Sequence, residues 1–378
     1  MSVPALYANE RIRIRPNICT LVKRKLRGPG RLLAQKNTEV SPHDVLGSFK
    51  QTLGFTKINL AQELSISPTE VPKCLQKAVG QTVFKGELIA SKKGLFNKSQ
   101  IFAPTDGVFQ QLDEKSGNAT FKLLPKEVPL AAGVFGVIQD VDHKNGEVTI
   151  KTMMTEVYGI FGTGYEKEGF ISVLGEAADL INKESITDAH RGRIIVAGAL
   201  ILEETIKKAM SNAVSGIICG GVNLDDYLAM AGSLNPAKST GLDVGISIIG
   251  TEGFGVIPIG EDLFELFKKY EGKYAIINGN AGRILLPSTD PNSILTCRKV
   301  GLPSYEELIK KPGITIGEIK IGSRVRLITP PFMGSQGVIS EIDGNPTKME
   351  SGISTYLISV TTKNKKIRTP YSNIEIMV

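Results

Sequence analysis

The hydrophobic period of this chain changes twice, and that change constrains its fold more than any other feature. Up to about residue 190, and again after about residue 316, apolar residues come in short runs separated by turn residues, a pattern typical of β structure. Between residues 191 and 300, apolar runs alternate with amphipathic segments, which predicts a sheet covered by helices. The sequence therefore predicts a multidomain α+β protein.

Four strands and three helices are expected in the middle segment. The strands are predicted at 194–200, 216–219, 244–249 and 274–278, and the helices at 203–213, 224–231 and 261–270. Because the connections are short and the elements alternate, these strands should form one small parallel α/β layer.

An internal repeat lies in the first third of the chain. Residues 38–47 and 81–90 share a Val, a few turn residues, an acid, two aliphatic residues and a small residue. Between them a short helical insert is expected at 67–79, with Ser67 as N-cap and Glu70 three residues later. Each half should therefore form the same strand-and-turn unit.

Residues 79–125, which include an Ala-Pro-Thr-Asp-Gly turn, resemble the barrel-sandwich hybrid domains of biotinyl and lipoyl carriers. The resemblance implies a β domain of this type. In the carriers a modified lysine occupies a hairpin tip, and this chain has Phe96 there. The lysines that flank the tip are Lys92, Lys93 and Lys98, and none has the neighbours that the modifying ligases read. The resemblance thus implies an unmodified structural barrel.

Residues 321–342 resemble the KOW motif of NusG and of ribosomal proteins. They contain alternating β residues, a turn and a Gly-x-x-Gly-Val sequence formed by Gly334 and Gly337. The resemblance implies a C-terminal SH3-like β barrel that contacts RNA, the ribosome or RNA polymerase. The contact residues that we expect on it are Arg324, Arg326, Lys363, Lys365, Lys366 and Arg368.

The N-terminal segment is strongly basic. Residues 1–36 contain nine Lys or Arg and one acid, so their net charge is +8. The whole chain has a net charge of +7, so the remaining residues together carry about −1. Such a segment, with Lys23, Arg24 and Lys25 adjacent, could contact the phosphates of a polyanion. Residues 11–15 alternate Arg with Ile, however, which is equally the pattern of a strand with one solvated face. The sequence leaves both interpretations open.

A second candidate site lies at the ends of two middle strands. Ligands of open parallel sheets bind beyond the carboxyl ends of the strands, where backbone NH groups are available. The weak ligand-binding candidates at these ends are Gly220, Gly221, Thr251, Glu252 and Gly253. The glycines could equally serve only to permit tight turns.

Other function classes are disfavoured by composition. The four cysteines form no Cys-x-x-Cys pair and the three histidines are scattered, so we predict no disulfide framework, no metal site, no catalytic residue and no cofactor. The longest apolar run, 194–202, is about half the ~20 residues that a membrane span needs, and no apolar signal segment is present. We therefore expect a cytoplasmic protein without membrane contact, and the oligomeric state stays open.

These predictions divide the chain into five segments. They are a basic segment (1–36), a barrel-sandwich hybrid region (37–190), a small α/β domain (191–300), a linker (301–316) and a KOW-like SH3 barrel (317–378). No single family with an assigned activity accounts for this order. The favoured function is a non-enzymatic cytoplasmic binding or scaffold protein that contacts RNA or a transcription or translation machine. The alternative is a small-molecule-binding protein or enzyme subunit that uses the glycine-rich strand ends.

Overall fold

The structure, a computed structural model, describes residues 5–51, 54–93, 98–231, 245–303 and 313–377. The fold is β-rich, with several sheets and few helices.

The strands of the first half are β1 (Tyr7–Glu10), β2 (Ile14–Lys25), β3 (Gly30–Leu32), β4 (Glu39–Val40), β5 (Val45–Gln51), β6 (Phe55–Asn59), β7 (Thr82–Val83), β8 (Leu88–Lys93), β9 (Lys98–Phe102), β10 (Gly107–Asp113), β11 (Asn118–Leu123), β12 (Lys126–Ala131), β13 (Gly136–Asp142), β14 (Glu147–Tyr158), β15 (Phe161–Thr163), β16 (Lys167–Leu174) and β17 (Leu180–Ile181). Those of the second half are β18 (Arg193–Ile201), β19 (Gly216–Val222), β20 (Ser247–Phe254), β21 (Tyr274–Asn278), β22 (Arg283–Pro287), β23 (Thr315–Glu318), β24 (Arg324–Leu327), β25 (Gln336–Ile342), β26 (Thr347–Lys348), β27 (Ser354–Thr355), β28 (Leu357–Thr362), β29 (Lys366–Pro370) and β30 (Ile374–Ile376).

The α-helices are α1 (Leu60–Leu64), α2 (Val71–Cys74), α3 (Glu203–Ser211), α4 (Leu224–Ala231), α5 (Glu261–Lys269) and α6 (Ser293–Lys299), and short 3-10 helices lie at Pro68–Glu70, Lys183–Ser185, Asp188–His190 and Tyr371–Asn373. Among the described residues, no helix is long and apolar enough to cross a bilayer.

One strand topology occurs twice before residue 159. In the outer copy, β4 pairs with β13, β5 with β12, β13 with β14, and β14 with β2. In the inserted copy (55–123) the corresponding pairs are β7 with β10, β8 with β9, β10 with β11, and β11 with β6. All eight pairings are antiparallel, so the repeat seen in the sequence corresponds to two copies of one six-stranded unit.

The two copies also share sequence outside the predicted repeat. Residues 107–122 and 136–151 are identical at eight of sixteen positions. In both copies the first strand of this hairpin contains a bulge at the equivalent place. Both hairpins also turn at a glycine with positive φ, Gly117 (71°) and Gly146 (64°), a conformation that favours glycine. The bulge and the turn glycine therefore occur at equivalent positions in both copies.

The inserted copy lies within a hairpin of the outer copy. Strands β5 and β12 pair directly, with Gln51 opposite Lys126, and the inserted copy connects these two residues. Its eleven core residues all come from residues 60–121 and include the stacked rings of Phe109 and Phe121. The inserted copy thus has a hydrophobic core of its own.

The predicted parallel layer is present, but one strand differs. Strands β16, β18, β19 and β20 lie parallel in that order, with α5 packed on one face and α3 and α4 on the other. The strand at 274–278 is confirmed as β21, yet it runs antiparallel to β16 and β22. Because β16 occupies the edge of β18, β21 has to join the sheet further out. Strands β22 and β14 then connect this layer to the outer copy in one twelve-stranded sheet.

The chain termini form a second large sheet, the terminal sheet. Its seven strands follow the order β23-β1-β30-β24-β25-β28-β29. Strand β1 therefore belongs to the C-terminal unit, while β2 pairs along its length with β14 of the outer copy. The basic segment 1–36 is thus divided among three sheets, since its third strand, β3, pairs with β5.

The helical insert is shorter than the sequence predicted. Ser67 and Glu70 form the expected capping box, but α2 ends at Cys74. The next residue, Leu75, makes an isolated bridge to Ala90 of β8, which requires extended backbone. The helices at 224–231 and 261–270 are confirmed to within a residue.

Because the inserted copy has its own core and enters at a hairpin end, we expect it to be separable. A chain in which an Asn-Gly turn replaces residues 52–125 should unfold in one cooperative transition. The separate fragment 54–124 should also unfold in one cooperative transition. Thermal unfolding followed by far-UV circular dichroism measures both. Loss of cooperativity in either fragment would show that the two cores depend on each other.

Candidate nucleic-acid interface

The glycine-rich strand ends are occupied by the protein itself. A Cβ on Gly220 would collide with the carbonyl oxygen of Ile257, and a Cβ on Gly221 with that of Gly255. These glycines therefore let the loop after β20 cross closely over the end of β19. Both lie within β19, so they permit close backbone approach rather than the tight turns that the sequence offered as the alternative, and backbone atoms of residues 255–259 lie against them.

The other candidates at these strand ends are also interior residues. Thr251 is fully buried, and its hydroxyl donates to the carbonyl of Cys219 at 3.2 Å. Its own carbonyl accepts from the Arg13 guanidinium. A Cβ on Gly253 would lie against the Ile257 side chain. The structure thus brings the predicted ligand residues close together, but their contacts are with other residues of the protein interior.

Glu252 lies in a buried ion-pair network between the parallel layer and the terminal sheet. Arg326 of β24 donates to Glu252 at 2.9 Å and to Asp262 at 2.9 Å, and it is only 1% exposed. Arg13 bridges Glu252 at 3.2 Å and Glu375 at 2.7 Å. Arg326 was predicted to contact a polyanion, but these carboxylates enclose it, so it does not belong to the solvent-facing basic residues.

The charges of this network set the ionisation of Glu252. Burial alone would raise the pKa of the Glu252 carboxyl, but the positive charges of Arg326 and Arg13 outweigh burial and hold that pKa below its usual value. The Gly260 NH also donates to this carboxylate at 3.0 Å. Glu252 is therefore an ionised carboxylate whose role is to bind the arginines of this network.

Gly334 of the predicted KOW-like turn has a docking role. Its φ is 84°, and a Cβ there would collide with the backbone NH of Glu261 at the start of α5. That NH donates to the carbonyl of Met333 at 3.1 Å. The turn therefore holds the terminal sheet against the parallel layer.

The cations predicted in the N-terminal segment are largely neutralised. Arg24 is buried, where it pairs with Glu168 and donates to the Tyr274 hydroxyl at 2.7 Å. Lys23 is exposed and pairs with Glu147 at 2.8 Å. Lys25 is exposed and forms no ion pair within the described part of the chain. The segment is mainly a strand of the sheet, with Lys25 available to a partner.

The predicted cations of the terminal sheet remain at its surface, apart from Arg326. Lys366 and Arg368 are exposed and pair with Glu341 and Asp343, contacts that are weak in water. The Lys365 ammonium lies 3.9 Å from the ring centroid of Phe332. The remaining exposed cations are Arg324 and Lys363.

A cleft of about 680 Å³ separates this surface from α5. Its charged lining residues are Glu176, Glu261, Glu265, Lys268 and Lys365. Carboxylates outnumber ammonium groups, and Lys268 already pairs with two of the carboxylates. The cleft itself does not favour a polyanion.

An open aromatic and basic face lies on the inserted copy. The outward row of its four-stranded sheet consists of Phe55, Lys122, Val108 and Thr82. Phe55 is 58% exposed, and Phe84, two residues beyond Thr82, is 60% exposed. We call this surface the Phe55 face.

Lysines surround these rings. Lys57 and Lys122 lie exposed on outward strand positions, and Lys85 is exposed beside Phe84. The single acid of these four strands, Asp113, lies at one end, where it accepts from the Lys115 NH at 3.0 Å and the Ser116 hydroxyl at 2.6 Å. Lysines therefore outnumber carboxylates on the strands of the Phe55 face, and at its edge Glu87 and Asp106 accept from the backbone NH groups of Phe84 and Lys85 at 2.9 and 2.8 Å.

The equivalent face of the outer copy is partly covered. Leu21 and Lys151, which are register partners, take the places of Phe55 and Lys122. Helix α6 packs against β14 there, and Lys151 donates to the carbonyl of Val300 at 2.6 Å. Sequence reasoning missed the Phe55 face, although aligning the two copies along their whole length would have identified it.

Comparison of this chain with family models and with curated sequences gives no relative. No protein-family model matches it, and no curated protein sequence matches it. The predicted tip residue Phe96 lies outside the described residues.

Removing the Arg326 guanidinium would leave Glu252 and Asp262 as buried carboxylates with too few partners. We expect Arg326→Met to lower the free energy of unfolding by about 3–5 kcal/mol. Arg324→Met, an exposed site two residues earlier on the same strand, should change it by less than about 0.5 kcal/mol. Urea unfolding at pH 7 compares the two, and equal effects would contradict the role given to the network.

The low pKa of Glu252 gives a pH dependence of defined sign. Since the folded pKa lies below the unfolded value of about 4.3, the stability from this group is complete above that value and is lost as pH falls through the folded pKa. The difference in unfolding free energy between wild type and Glu252→Gln should therefore shrink from pH 7 to pH 3. Urea titrations at both pH values measure it, with the exposed Glu114→Gln as control. A difference that does not depend on pH would contradict the assignment.

Proposed function

We propose that this chain is a non-enzymatic RNA-contacting protein that binds single-stranded RNA on the Phe55 face. The observation that carries the proposal is the pair of half-exposed rings, Phe55 and Phe84, set among lysines on an open sheet. The small-molecule alternative loses support, because the strand ends on which it depended are filled by the protein's own backbone.

The chemistry of this face suits unpaired nucleotides. Proteins recognise single-stranded RNA by stacking bases on aromatic rings, and each stacked base contributes about 1–3 kcal/mol. Lys57 and Lys122 lie on neighbouring strands within reach of a backbone that follows such bases. Base stacking is tolerant of sequence, so we expect affinity without strong base preference.

The charge distribution of the whole chain supports the same function. The inserted copy, residues 55–123, contains nine Lys against six Asp or Glu, whereas residues 132–378 contain 25 Lys or Arg against 28 Asp or Glu. A polyanion is therefore attracted to the part that carries the Phe55 face. Arg324, Lys363 and Lys365 offer a second, smaller contact, through which we propose an approach to the ribosome or RNA polymerase.

The fold types implied by the sequence resemblances belong to this proposal. The repeated antiparallel topology supports two barrel-sandwich hybrid units, one nested in the other. The terminal sheet, with Gly334 at a turn of positive φ, supports an SH3-like barrel with a KOW motif. Both types present sheet faces and hairpins for binding.

Fluorescence anisotropy with a labelled 15-nucleotide oligouridine tests the proposal in the full chain. Phe55→Ala with Phe84→Ala should weaken binding by at least about tenfold, because two stacking surfaces are lost. Lys57→Gln with Lys122→Gln should lower the slope of log affinity against log salt by about 0.7 for each lost phosphate contact.

Matched controls separate this face from general effects. Phe102→Ala removes an equally exposed ring on β9, outside the face, and should leave RNA affinity unchanged. Lys144→Gln tests a lysine of the outer copy in the same way. If the wild type shows no salt-sensitive binding, or if Phe102→Ala weakens it as much as the double variant, the proposal is wrong.

A further inference from the structure

Three sulfur-containing side chains meet beneath helix α6. Cys19 of β2 lies directly opposite Met153 of β14, and Cys297 of α6 packs onto both. The three form a buried cluster separate from the other hydrophobic cores, and none is more than 4% exposed. Residues 278 positions apart in the sequence are thus brought into one site.

The two thiols interact with each other and with one cation. Burial raises the pKa of both thiols, that of Cys297 to about 12, and each thiol is near enough to shift the pKa of the other. The positive charge of Lys151 acts in the opposite direction on both. Without a ligand, the cluster therefore holds two protonated thiols beside a fixed ammonium group.

A buried hydroxyl lies beside this cluster without a partner. Ser293 is one helical turn before Cys297, on the same side of α6, and is 7% exposed. Its hydroxyl makes no hydrogen bond in the described part of the protein. Buried polar groups almost always have a partner, and an orphaned one often marks an ion or water site.

We propose that Cys19, Met153 and Cys297 bind one Cu(I) ion. Thiolate and thioether sulfurs are the soft ligands that select Cu(I), and a dry site protects this ion from water. Zinc fits less well, because structural zinc requires four ligands and the cluster offers three sulfurs. This site goes beyond the proposed RNA contact and does not depend on it.

The charges of the bound state balance locally. Cu(I) replaces the two thiol protons, which leave to solvent, and the thioether of Met153 binds as a neutral donor. The ion and two thiolates together carry −1. The Lys151 ammonium, held by the Val300 carbonyl at 2.6 Å, supplies the compensating charge. No electron transfer is required, since copper enters and stays as Cu(I).

Anaerobic competition with a chromophoric Cu(I) chelator tests the site in the full chain. The wild type should retain one equivalent of Cu(I). Cys19→Ser and Cys297→Ser should each weaken binding by at least about 100-fold, the upper range for losing a group that only supports a ligand. Met153→Leu, which preserves packing volume, should weaken it by roughly tenfold. Cys74→Ser and Cys219→Ser, at thiols outside the cluster, should leave it unchanged.

Melting curves without copper show whether each variant is folded, and thiolate-to-copper absorption in the near ultraviolet reports the ligands directly. Met153→Leu keeps the test informative if the serine variants fail to fold. The proposal is overturned if the wild type takes up no Cu(I), or if Met153→Leu binds as tightly as the wild type. A mass loss of two hydrogens after treatment with a thiol oxidant, without copper uptake, would assign a redox dithiol instead.

Discussion

The buried contact of Arg326 and Arg13 with Glu252 determines how the two large sheets sit together. Both guanidinium groups come from the terminal sheet side, Arg326 from β24 and Arg13 from the link between β1 and β2, and Glu252 comes from the last parallel strand. Taking these charges out of water is costly unless every group is paired, so separating the sheets would leave buried charges with too few partners. The loop after β20, which follows Glu252, lies over the end of β19 at Gly220 and Gly221.

Duplication explains much of the remaining architecture. Two copies of one six-stranded unit share a bulge, a turn glycine and the strand pairing, but their outward faces differ in how far they are covered. In the outer copy, α6 and neighbouring strands cover part of the face, and its strands extend into the twelve-stranded sheet. In the inserted copy the face stays open, with Phe55 and Phe84 in water. Under the proposed function, single-stranded RNA would cover these two rings.

The two proposed sites lie on related faces of the two copies. The sulfur cluster occupies the covered face of the outer copy, between β2, β14 and α6, whereas the Phe55 face is its uncovered counterpart. The equivalent faces of the two copies thus differ both in burial and in residue type. The two proposals accordingly assign them different chemistry, a soft ion on the covered face and stacked bases on the open one.

The sequence by itself determined the local elements of this protein. Hydrophobic period located β18, β21, α4 and α5, and the Ser67–Glu70 spacing located a capping box, because these features depend on neighbouring residues. Only the tertiary structure decided which residues meet. Arg326 and Glu252 were assigned to separate sites but pair with each other, and Cys19 and Cys297 form a cluster despite their separation. Charge and sulfur chemistry depend on distance and burial in space, which sequence spacing does not record.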